Sequence, residues 1–112
     1  MRPIHPLLPA VALLSCALAV SGCRTPQSLC QEYVDEINAM LVRCSIPIEY
    51  GVVHPSTGER GCHIVQQVSD PRQIVDQCIP WAQSIDTAEE CAAVDVSMLP
   101  PFCRATLFEI VE

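Results

Sequence analysis

The sequence predicts an all-α fold: a small disulfide-stapled bundle of four to five short helices after a cleaved signal peptide. Three observations lead there. Behind the basic Arg2, an apolar stretch from Ala10 to Val20 has the length of an export-signal core and falls short of the ~20 residues that span a bilayer. Six cysteines, Cys30, Cys44, Cys62, Cys78, Cys91 and Cys103, follow with 11 to 17 residues between successive members. Apolar residues recur at steps of three and four through much of the remaining chain, the period of a helix with one buried face.

The leader covers residues 1–22 and ends in Val20-Ser21-Gly22-Cys23, an aliphatic residue, a small residue, a glycine and then a cysteine. In these four positions the segment resembles a bacterial lipoprotein precursor. The resemblance implies cleavage after Gly22, a diacylglyceryl group on the Cys23 sulfur, and acylation of the new amine by a fatty acid such as palmitate. Arg24 stands where an Asp would retain the product at an inner membrane, so the same analogy favours the outer membrane. Ordinary cleavage after Ala17-Leu18-Ala19 is the competing reading, and it gives a secreted or periplasmic product. Cysteine parity separates the two: cutting after Ala19 leaves seven cysteines, whereas a lipidated Cys23 leaves six that pair completely. Two or more acyl chains attach a protein stably where one holds it marginally. Residues 23–26 form the tether, and its extended reach of ~15–20 Å keeps the domain 27–112 beside the membrane.

From Cys23 onward the chain has 90 residues, enough for one small domain. It carries no lysine, and Arg24, Arg43, Arg60, Arg72 and Arg104 face 13 acidic residues, for a formal charge of 5 − 13 = −8. Scattered arginines on an acidic chain argue against nucleic acid, which needs clustered cations. The acidity serves solubility, or attracts cationic partners. No Cys-x-x-Cys pair occurs, which sets aside zinc-ribbon and thioredoxin-like readings and leaves structural disulfides for an exported even set. No metal or cofactor is expected.

The first helix is expected over residues 27–44, where Cys30, Val34, Ile37, Leu41 and Cys44 recur at steps of 4, 3, 4 and 3 and Tyr33 and Met40 widen the stripe. Thr25 or Ser28 caps it, and Pro47 prevents continuation. Cys30 and Cys44 stand about 21 Å apart along this helix, too far to bond each other. Residues 45–61 are punctuated by Pro47, Gly51, Pro55, Gly58 and Gly61, so a loop or a hairpin pairing Val52-Val53 with Ile64-Val65 is open. Cys62, Val65 and Val68 also share a helical face, and a short helix is the favoured reading there. A Cys44–Cys62 bridge across the loop is the expected pairing.

Asp70-Pro71 opens the next helix as N-cap and first-turn proline, with Ile74, Cys78, Ala82 and Ile85 on one face and an interruption near Cys78 imposed by Pro80. Thr87-Ala88-Glu89-Glu90 has capping-box form and starts a helix running to about Val94. Pro100-Pro101 starts the last, with Cys103, Leu107 and Ile110 inward. Evenly spaced cysteines on helical faces also resemble those of small cysteine-rich bacterial lipoproteins of unknown activity.

His54 and His63 flank Cys62 without a carboxylate at ligand spacing, so surface histidines are a better reading than a metal site. Ser56, His54 and Asp70 lack the elbow and oxyanion signature of a catalytic triad. Trp81 is a core filler or an exposed anchor for a partner or headgroup layer, the core reading being favoured in a chain this poor in aromatics. The function that leads is a non-enzymatic, lipid-anchored envelope protein with a structural or protein-interaction role and an envelope protein as partner. The alternative is a small secreted effector or inhibitor presenting the loop 54–60.

Overall fold

Helix formation begins where the chain supplies its own cap. The Thr25 hydroxyl accepts from the Ser28 N–H at 3.0 Å and the Ser28 hydroxyl accepts from the Thr25 N–H at 3.1 Å, so two otherwise orphaned donors are satisfied reciprocally. From there α1 runs over Pro26–Arg43 in the computed structural model, which describes residues 24–110. Its inward stripe buries Leu29, Cys30, Tyr33, Ile37, Met40 and Leu41, while Val34 and Cys44 are half-buried. Ser45, at φ 56°, turns the chain back.

The return path is tied to α1 by side chains. Asn38 clamps the Tyr50 backbone in both directions, accepting from its N–H at 2.8 Å and donating to its carbonyl at 3.0 Å. A short arm then projects, closed by an antiparallel bridge between Val53 and Arg60 and by the Gly61 N–H on the Val52 carbonyl at 3.0 Å. Gly61, at φ 126°, redirects the chain into a 3₁₀ turn (Cys62–Ile64) lying on α1. A Cβ at Gly61 would stand 2.7 Å from His63 Nδ1. Gly61→Ala is therefore expected to destabilise the fold by about 1–3 kcal/mol through backbone strain alone, read as a lowered urea midpoint.

The turn leads into strand β1 (Val65–Val68), which pairs antiparallel with β2 (Phe108–Ile110), Val65 opposite Ile110 and Val68 opposite Phe108. This sheet overturns the all-α expectation. Among the described residues there are three helical segments and one two-stranded sheet, not four to five helices. The two segments expected as further helices, around 62–68 and beyond Pro101, are the ones that supply the strands. A register irregularity between Val65 and Gln67 explains the first misreading. An extra residue puts Gln66 and Gln67 both outward and returns Val68 to the inner side, so a bulged strand shows the three-residue spacing of a helix. The alternative hairpin of Val52-Val53 with Ile64-Val65 does not form either, because each of those pairs has another partner.

The second helical segment is continuous but changes gauge. Asp70 Oδ1 accepts from the Gln73 N–H at 3.2 Å and opens α2 (Pro71–Gln73), which passes through a π turn (Ile74–Cys78) into α3 (Ile79–Ser84). The Ile79 N–H reaches back to the Ile74 carbonyl, five residues away. The wider turn makes room for the Pro80 ring, so the expected interruption takes the form of a local expansion instead of a break. Arg43 ends this segment from outside, donating from Nη2 to the Ala82 carbonyl at 2.5 Å and from Nε to the Ile85 carbonyl at 3.1 Å. A cation at carbonyls left free by a helix end is favourable there.

The capping box at Thr87 and Glu90 is present, and α4 spans Ala88–Ala92. Beyond it two 3₁₀ turns (Pro101–Cys103 and Ala105–Leu107) replace the last expected helix. Arg104 between them is extended (φ −86°, ψ 146°), and Phe108-Glu109-Ile110 alternate inward and outward as a strand does.

Three disulfides join these parts: Cys30–Cys62, Cys44–Cys91 and Cys78–Cys103. All six expected cysteines are paired, but Cys44 does not bond Cys62. The chain doubles back along α1 through the Asn38–Tyr50 clamp, which delivers Cys62 to Cys30 near the N-terminal end and leaves Cys44 for α4. Cys30, Cys78 and Cys103 are fully buried among Tyr33, Ile37 and Ile74, whereas Cys44 and Cys91 are half-buried.

Candidate functional site

Cys23 and Gly22, the expected lipidation and cleavage residues, lie outside the described residues, as does the rest of the leader. No described helix is long and apolar enough to cross a membrane.

The arm carrying loop 54–60 is held by its own polar groups. The His54 N–H donates to the Glu59 carbonyl at 2.7 Å and the Gly58 N–H to the His54 carbonyl at 2.9 Å, with Gly58 at φ 76° completing the turn. His54 Nδ1 accepts from the N–H groups of Ser56 and Thr57 at 3.0 and 3.2 Å. Arg60 fastens the base of the arm through Nη2 to the Glu49 carbonyl at 3.1 Å. The result is an exposed, internally bonded loop. Between it and the 3₁₀–β2 segment lies a cleft of about 450 Å³ lined by Val53, His54, Pro55, Thr106 and Phe108.

The residues from which a triad could be drawn are engaged separately. His54 meets the backbone of Ser56, not its hydroxyl, and Asp70 caps α2. His63 pairs instead with Glu59, Nε2 to Oε2 at 2.7 Å, so a carboxylate does stand four residues from this histidine, against the expectation of none at ligand spacing. Among the described residues no three His, Cys, Asp or Glu side chains converge as a metal site would require.

The buried polar centre is a chain of three groups. The Tyr33 hydroxyl donates to the Cys103 carbonyl at 2.7 Å and stands 2.6 Å from the Tyr50 hydroxyl. A carbonyl only accepts, so the Tyr33 proton is committed to it and Tyr50 donates to Tyr33. Burial pushes the Tyr33 phenol strongly up and the Tyr50 phenol up as well, keeping both neutral. This centre is architectural, since it ties α1 to the return segment and to the C-terminal bridge.

Trp81 takes neither of its two expected roles fully. It is half-buried, packed edge-on to Phe102 with ring centroids 6.2 Å apart, and its remaining face borders a second groove of about 390 Å³. Val94, Met98 and Leu99 line that groove with it, and Glu90 and Asp95 stand at its rim. Both carboxylates are held below the usual carboxylate range, Glu90 by the N–H groups of Asp86 and Thr87 and Asp95 by the hydroxyl and N–H of Ser97. Sequence reasoning missed this groove. Its one legible signal is that no basic residue occurs between Arg72 and Arg104. No protein-family model, no curated protein sequence and no solved structure matches the chain.

Proposed function

We propose that the protein is a lipid-anchored, non-enzymatic component of a bacterial cell envelope, acting as a structural or protein-interaction module at the outer membrane. The observation that carries this reading is the sequence Val20-Ser21-Gly22-Cys23 taken with cysteine pairing. Every cysteine from Cys30 to Cys103 is consumed in a bridge, so a chain cut after Gly22 has one thiol left, at its new first residue. The disulfides suit an oxidising compartment outside the cytoplasm. Helix α1 starts at Pro26, so the folded body is tied closely to the lipid.

The test is to express the precursor and its Cys23→Ala variant in a bacterial host and compare detergent partition and intact mass. The parent is expected almost wholly in the detergent phase with the added mass of its acyl groups, and the variant in the aqueous phase. Equal aqueous partition with no added mass would refute the anchor. The internally bonded loop 54–60 favours the second reading, a secreted effector or inhibitor presenting that loop, and an unlipidated product in the culture fluid would select it.

A further inference from the structure

We infer that the groove beside Trp81 receives an apolar side chain from a cationic peptide segment of a partner protein. The inference rests on the protein-interaction reading above and names the surface and the partner's chemistry. Trp81, Val94 and Leu99 form an apolar floor, and Met98 is 70 % exposed beside it, a large thioether left in water on a domain that buries most of its other large apolar groups. A volume of about 390 Å³ is at the low end for ligand pockets and suits one or two side chains.

Charge selects the occupant. Glu90 and Asp95 at the rim are locked in their ionised forms by neighbouring donors, and Asp86 and Glu89 lie exposed on the same segment. Arg104 is the one cation in the lining, and its Nε is committed to the Leu99 carbonyl at 3.0 Å. An anionic headgroup or a nucleic acid is repelled by this rim, while a lysine or arginine flanking a leucine is drawn to it. Position agrees. The Cys44–Cys91 bridge holds α4 at the C-terminal end of α1, with Cα atoms 5.3 Å apart, and the 18 residues of α1 put that end about 27 Å along the axis from Pro26. The groove thus sits at the end of α1 remote from Pro26.

Trp81 is the sole tryptophan, so its emission reports this groove alone. The lipidated chain in zwitterionic micelles would be titrated with acetyl-Lys-Lys-Leu-Leu-Lys-Lys-amide and with the same peptide carrying Glu for Lys. The cationic peptide is expected to give a saturable blue shift that weakens steeply with salt, and the acidic peptide none. Met98→Lys, at an exposed position that leaves the fold intact, is expected to weaken binding at least tenfold. No spectral response from protein shown by mass to hold three disulfides, an equal response to the acidic peptide, undiminished binding by Met98→Lys, or a response to anionic vesicles in place of peptide would each overturn the assignment. Failure of the anchor is read separately by partition: a lipidated chain that ignores the peptide sinks the groove alone, and an unlipidated chain that binds it sinks the anchor alone.

Discussion

Changing Cys78 and Cys103 together to alanine is expected to remove about 2–5 kcal/mol of stability and to leave a domain of this size largely unfolded at 37 °C. The bridge closes a separation of 25 residues, for which chain entropy alone accounts for about 3.5 kcal/mol. Both sulfurs are buried in the core, so their loss also opens space between the π turn and the segment leading to β2. Loss of helical circular dichroism at 37 °C and a collapsed guanidinium midpoint are the expected readings, and a midpoint equal to the parent's would refute them. The half-buried Cys44–Cys91 pair provides the contrast. Its longer separation, 47 residues, ranks it first by entropy, whereas core disruption ranks Cys78–Cys103 first. A larger loss from the buried pair would show that packing decides the order.

The second large effect is expected from Tyr33→Phe, at about 2–4 kcal/mol. Removing that oxygen leaves the buried Cys103 carbonyl without its donor, at about 1–3 kcal/mol, and the part-buried Tyr50 hydroxyl without its acceptor, at about 1 kcal/mol. Tyr50→Phe removes only the outer donor and is expected to cost about 1 kcal/mol. The same pair sets an alkaline limit. Burial raises both phenols above their ordinary value of 10, so their contribution is fully present below pH 10 and is lost as the pH climbs beyond it. Urea midpoints taken across that range are expected to fall for the parent and to fall less for Tyr33→Phe.

Much of this arrangement was legible in the chain, and the failures have identifiable causes. Local signals that complete themselves within four residues are legible, the caps at Asp70 and Thr87 outright and the first as one of two candidates, Thr25 and Ser28, of which Thr25 is the N-cap; the stripe of α1 is legible from its period. The disturbance before Pro80 was placed correctly, although its form as a π turn was not foreseen. What failed depended on distant partners. β1 and β2 are each too short to declare themselves, and the irregularity at Gln66 gave β1 the spacing of a helix. The expected partner of Cys62 is the cysteine across the preceding loop, Cys44, because the Asn38–Tyr50 clamp, which steers the chain back along α1, is a single side chain with no pattern to announce it. The Trp81 groove was hidden for a related reason. Val94, Met98 and Leu99 come from an irregular stretch without periodicity, and only the fold sets them beside α3.

The three bridges also overlap in order along the backbone. Cys30–Cys62, Cys44–Cys91 and Cys78–Cys103 interlace so that every peptide bond from residue 30 to residue 103 lies inside at least one covalent ring. A protease that nicks the exposed arm at 54–60 cuts within two of those rings at once, and the severed ends stay on the same molecule. Interlacing therefore lets this small body suffer a scission at an exposed loop without shedding a fragment.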